Sequence, residues 1–177
     1  MTTRRPGPGP LAAAALTGIN ALYLTLVVVG NVFDFDTNRE FVQHVLAMDT
    51  TSQDPDLMGR AIGSRRVRDA VYVAIIGWEA LAALVLVWAT GLWGLGMRHG
   101  AFARARWAST VGLVLVLSLF GGGFLAIGGE WFAMWQSEDW NGLDAALRAV
   151  VLAGLALLVA QSPHRAPAPA TEAPPPR

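Results

Sequence analysis

The chain has 177 residues and a formal net charge of zero; 54% of it is hydrophobic and only 15% is charged. A soluble domain carries about 25% charged residues, and the charges here are clustered, so the distribution argues for a membrane bundle and against a bulk electrostatic pull toward nucleic acid. Cysteine and lysine are absent, which excludes disulfides, thiolate metal sites, iron–sulfur ligation, cysteine nucleophiles and lysine Schiff-base chemistry.

Residues 1–10, with Arg4, Arg5 and three prolines, read as a flexible tail. A twin-arginine leader is not expected, because Pro6-Gly7-Pro8 stands where its apolar stretch would begin. Leu11 to Gly30 is apolar and uncharged, and about 20 such residues cross the hydrocarbon core as a helix. A signal peptide has a shorter apolar region and a small-x-small cleavage site; Gly30-Asn31-Val32-Phe33-Asp34 fits poorly, so an uncleaved first span is expected. Ala14, Gly18, Ala21 and Thr25 give it a small-residue face suited to close helix approach.

The first loop, 31–69, is long, and loops beyond about 12–15 residues carry structure or function of their own. Thr37 and Glu40 have the spacing of a capping box, with Thr37 at the N-cap. Phe41, Val42, Val45 and Leu46 then share one helical face and Glu40, Gln43 and His44 the other. This predicts a short interfacial helix with its apolar side toward the bilayer or the bundle. Asp54-Pro55 has the form of a second helix start.

The second span is expected at about 70–92, interrupted by Glu79, and the third at about 107–127. Gly121-Gly122-Gly123 lies inside the third, where it permits a kink or close helix approach rather than a phosphate loop. The third loop carries Trp131, Phe132, Trp135 and Trp140; it reads as an interfacial aromatic belt or as a ligand or partner platform. The fourth span, about 143–160, contains Arg148, and residues 161–177 form an Ala/Pro-rich tail expected to be disordered.

The expected architecture is therefore all-α: a four-helix transmembrane bundle over 11–160, with a long first outer loop containing a short amphipathic helix. A soluble bundle would need a polar stripe on each helix, which Leu22 to Val29 and Val111 to Phe120 do not offer. Arg4, Arg5, Arg98, Arg104, Arg106, Arg165 and Arg177 fall on one side of such a bundle, and the third loop, with Glu130, Glu138 and Asp139, has no arginine. The positive-inside rule then puts both termini in the cytoplasm, in a cell inner or plasma membrane. The five arginines of the first loop run against that assignment.

Glu79 stands out chemically. A charge at mid-membrane costs about 2.5–3.5 kcal/mol on insertion scales, so it should face the bundle and have a partner. Arg148 lies about four residues nearer the outer end, roughly 6 Å at helical rise, and a Glu79–Arg148 pair is expected, with Asn20 or Ser118 as further hydrogen-bond partners. It serves either as packing glue or as a proton or ligand site. On the outer face, His44, Glu40, Asp49 and Glu130 offer ligand-type groups, but a single imidazole is a thin basis for a metal, and Glu40 and His44 at i, i+4 can simply pair. Neither metal nor cofactor is expected; His44, His99 and His164 lie outside the spans, where they cannot hold haem across the bundle. No GxSxG or HExxH motif is present.

Asn31-Val32-Phe33-Asp34, the run Phe41 to Thr51, Trp78-Glu79-Ala80-Leu81, Gly128 to Ser137, Trp140-Asn141-Gly142 and Arg148 to Leu152 together resemble domain-of-unknown-function family 2165, of predicted small integral membrane proteins. The resemblance covers about residues 12–160. It implies a four-span membrane protein and brings no activity with it. The residues themselves suggest an accessory or structural component docking another membrane protein, or associating with its own copies. The alternative is a small transporter or proton-coupled site on Glu79 and Arg148; an enzyme using His44 and Glu130 is a weaker third.

Overall fold

In the computed structural model, residues 7–162 are described, and they are helical without a strand. Helix α1 spans Pro8–Phe33, α2 Phe35–Ala47, α3 Arg65–His99, α4 Ala103–Leu117 and α5 Leu143–Gln161. From Ser118 to Trp131 the α4 rod continues in wider, π-helical turns, and short 3-10 turns occupy Met58–Arg60 and Met134–Gln136. Four rods are long and apolar enough to cross a membrane: α1, α3, α4 with its π extension, and α5. Most of the expected tails, 1–6 and 163–177, lies outside the described residues.

Helix α1 starts at Pro8, earlier than the span expected from Leu11, with Pro8 and Pro10 in its first turn. Amide hydrogens there have no intrahelical acceptor, so proline removes nothing and its fixed φ suits the turn. Gly100 closes α3 at φ 71, a left-handed conformation that glycine takes without a Cβ clash.

The rods form a ring in which α1 and α4 each touch both α3 and α5, leaving α3 and α5 diagonal. Without a hydrophobic drive between helices in lipid, close packing has to hold such a bundle. Ala146, Ala149, Ala153, Ala156 and Ala160 form one buried stripe on α5, at helical spacing. On α1 the buried line is Ala13, Thr17, Asn20, Ala21 and Leu24, offset from the small face expected at Ala14, Gly18 and Thr25. At Gly112, α4 comes so close to α3 that a Cβ there would stand 2.7 Å from Cγ and Cδ2 of Leu86. The triplet Gly121–Gly123 makes no comparable approach; it lies in the π turns, where the α-helical pitch gives way.

At the end of the bundle near the termini of the described chain, Trp93 Nε1 donates to Ser109 Oγ at 2.9 Å, and Thr17 Oγ1 lies 3.1 Å from that oxygen. This buried group joins α1, α3 and α4. At the opposite end the first and third loops fold together into a cap.

Candidate functional site

Helix α3 projects past the end of α1, and α2 lies against the projecting part. Asn31 sits two residues before the end of α1. Its Nδ2 donates to Glu79 Oε2 at 2.6 Å, and its backbone oxygen accepts the Tyr72 hydroxyl at 2.9 Å. Glu79 is 2% exposed. The carboxylate therefore lies level with the end of α1, about one turn of α3 from Ala82 and Ala83 of the central apolar cluster.

The expected Glu79–Arg148 pair is not formed. Its geometry is excluded by the ring order, because the two residues ride on the diagonal helices, and Arg148 faces outward, exposed. Nor do Asn20 and Ser118 reach Glu79. Asn20 is buried, and its Nδ2 donates to the Leu16 and Leu152 carbonyls at 2.9 and 3.4 Å, tying α1 to α5. Ser118, exposed, donates to Val114 O on its own helix at 2.8 Å. Asn31 escaped the sequence reading because the expected span stops at Gly30, one residue short of it. The signal available was a lone amide following the run on a helix that continues to Phe33.

The cap begins with α2, which starts at Phe35 with Asp34 at its N-cap. Thr37 is inside the helix, so the expected capping box is not made. Direct continuation of the chain from α1 fixes the start of α2 earlier than the box would. Val42 and Leu46 are buried, and Phe41 and Val45 pack beside them, as the apolar face predicts. The polar face is only partly left to solvent. Arg39 Nε and NH2 grip Asp69 of α3 at 2.6 and 2.8 Å, and Gln43 Nε2 donates to the same carboxylate at 2.5 Å. The Asp69 hydrogen bond raises the Arg39 pKa above the ordinary arginine value.

His44 Nδ1 meets Asp49 Oδ1 at 2.8 Å, and its ring stacks on Trp140 with centroids 4.6 Å apart. Glu40 and Glu130 are exposed and join neither, so the pairing of Glu40 with His44 is replaced by His44 with Asp49. Among the described residues, no three His, Asp or Glu side chains come together as a metal set. Asp54-Pro55 starts a turn, not a full helix: the Asp54 carboxylate accepts the Asp56 amide at 3.0 Å, ahead of the Met58–Arg60 turn.

Further contacts stitch the two loops into one unit. Thr50 Oγ1 donates to Ser137 Oγ at 2.9 Å, Ser52 Oγ donates to Gln136 Oε1 at 2.7 Å, and the Arg60 guanidinium lies 4.6 Å above the Trp131 ring. Trp131 and Trp135 nevertheless remain 53% and 57% exposed.

Under α2, a cavity of about 200 Å³ opens between α3 and the π segment. Every lining residue is apolar or glycine, among them Phe41, Val45, Ile75, Leu119, Phe124 and Ile127. Glu79 is not in its wall. The chemistry on display is thus a buried carboxylate satisfied within the bundle, a cap cross-tied by its own polar contacts, and an apolar hollow between α3 and the π segment.

No curated protein and no solved structure matches the chain. A sequence model of the DUF2165 family, described as predicted small integral membrane protein, matches residues 10–163. With four membrane-length apolar rods and a match over most of its length, the chain belongs to this family of small integral membrane proteins.

Proposed function

We propose that the protein is an accessory or structural membrane component whose cap docks another membrane protein. The observation that carries this reading is the pair of half-exposed tryptophans, Trp131 and Trp135, held on a cap that is itself cross-tied. Rigid, amphipathic aromatics contribute large contact area at little entropic cost, and they dominate many interfaces. The enclosure of Glu79, at 2% exposure with Asn31 as its donor, favours this role over a proton or transport site on Glu79 and Arg148, because a transported proton or solute needs an approach to the group.

The test is photo-crosslinking in native membranes from probes at positions 131 and 135, with position 84, which is 69% exposed on the apolar surface, as control. One heterologous membrane protein captured at the cap positions and not at 84 is expected. Crosslinks to lipid alone, or to a second copy of the chain, would overturn the docking role and return attention to Glu79.

A further inference from the structure

The apolar cavity beneath α2 plays no part in docking at the tryptophans and has its own occupant to explain. Aliphatic cavities of about 150 Å³ stay dry and admit apolar guests such as benzene, and this one measures about 200 Å³. Ile127 forms part of its wall and is 55% exposed on the apolar surface, so the hollow adjoins the hydrocarbon of the bilayer. Leaving it empty forfeits the dispersion contacts of its whole lining. One helical turn beyond Ile127 stands Trp131, the kind of residue that marks headgroup level. The gap therefore runs from headgroup depth into acyl-chain depth.

Arg68 makes the site more than a crevice for any lipid. It precedes Val71 and Ile75, both in the cavity wall, at i, i+3 and i+7 on the same face of α3. Helical side chains lean toward the N-terminus, which here is the cap end. Arg68 Nε is buried and has no hydrogen-bond partner, and an unpaired buried donor on a cation is costly. The adjacent carboxylate, Asp69, is already taken by Arg39 and Gln43. Arg65 and Arg66 add positive charge at the same helix start and, like Arg68, form no salt bridge among the described residues. We propose that the cavity holds one acyl chain of an anionic membrane phospholipid, whose phosphate is bound by the Arg68 guanidinium.

The test uses the full chain in detergent micelles, offered equal amounts of phosphatidylglycerol and phosphatidylcholine with identical acyl chains and read by native mass spectrometry. One phosphatidylglycerol retained in preference by about fivefold is expected, because both phosphates can meet Arg68 and only phosphatidylcholine sets a choline cation beside Arg65 and Arg66. Arg68→Gln should abolish that preference, and Ile75→Trp, which fills the hollow, should abolish retention of both lipids. Equal retention of the two lipids by the unmodified chain overturns the proposal without reference to any variant's folding. So does displacement of phosphatidylglycerol by inorganic phosphate alone, which would make this a phosphate site with no use for the chain.

Discussion

Asn31 donates its side-chain amide to Glu79 at 2.6 Å across the α1–α3 contact, and its own carbonyl accepts the Tyr72 hydroxyl. One residue at the end of one helix thus answers two polar groups of its neighbour, and the only acid buried inside a rod among the described residues finds its donor there. Polar contacts between membrane helices are worth about 0.6 kcal/mol on average and up to about 1.7. Asn31→Ala should lower thermal stability in detergent, and Asn31→Asp, which sets a second carboxylate against the first, should lower it further. A double-mutant cycle of Asn31→Ala with Glu79→Ala, which removes the acceptor, should return a coupling in that range. Strictly additive effects would mean that the two side chains do not interact.

Arg39, Gln43 and Asp69 fasten α2 to α3 through one carboxylate. Asp69→Asn keeps the volume and loses the charge, so it should free the cap while leaving the bundle intact. Hydrogen exchange should rise across residues 35–62 and stay unchanged in 80–98, with protease nicking following the same pattern. Uniform loosening of both segments would show that the cap is not a separate cooperative unit.

Gly112 and Gly122 have opposite surroundings on the same rod. A methyl on Gly112 would meet Leu86 at 2.7 Å, whereas one on Gly122 meets nothing within 4 Å. Overpacking costs about 1–3 kcal/mol, while replacing an open helical glycine by alanine gains up to about 1 kcal/mol in propensity. Gly112→Ala should therefore destabilise, with partial rescue by Leu86→Ala, and Gly122→Ala should be neutral or stabilising by thermal unfolding. The reverse order would mean that α3 and α4 do not pack at this register.

The four rods and the apolar face of α2 were legible because hydropathy and period report them directly. The partners of Glu79 were not. Depth counted from the ends of the expected apolar spans assumes that the spans end where the helices do, yet α1 continues to Phe33 and α3 begins at Arg65. Those few residues move Glu79 from the expected Arg148 to Asn31. The ring order that makes α3 and α5 diagonal is a tertiary fact with no local signature. The tie from Trp78 Nε1 to Leu115 O, at 2.9 Å, is hidden for the same reason. It lies where α-helical pairing gives way to π-helical pairing, a change that can leave a carbonyl in need of another donor. His44 and Trp140 are 96 positions apart in the sequence, and only the closing of the two loops stacks them.

The orientation that the arginine bias favours is open to direct measurement. An even number of spans puts both termini on one side, and the cap, built from the first and third loops, on the other. The chain has no cysteine, so a single introduced thiol reports without background. Asp56 is exposed in the first loop, while Ser137 is only 5% exposed and hydrogen-bonded to Thr50, which makes it a slow and disruptive place to label. With Asp56→Cys, a membrane-impermeant maleimide applied to intact cells should label the protein, and Thr2→Cys should react only after the cells are opened. That result puts the termini in the cytoplasm and the cap outside, as Arg98, Arg104 and Arg106 favour. Labelling of Thr2→Cys in intact cells would invert the protein, and Arg39, Arg60, Arg65, Arg66 and Arg68 would then be the charges that set its orientation.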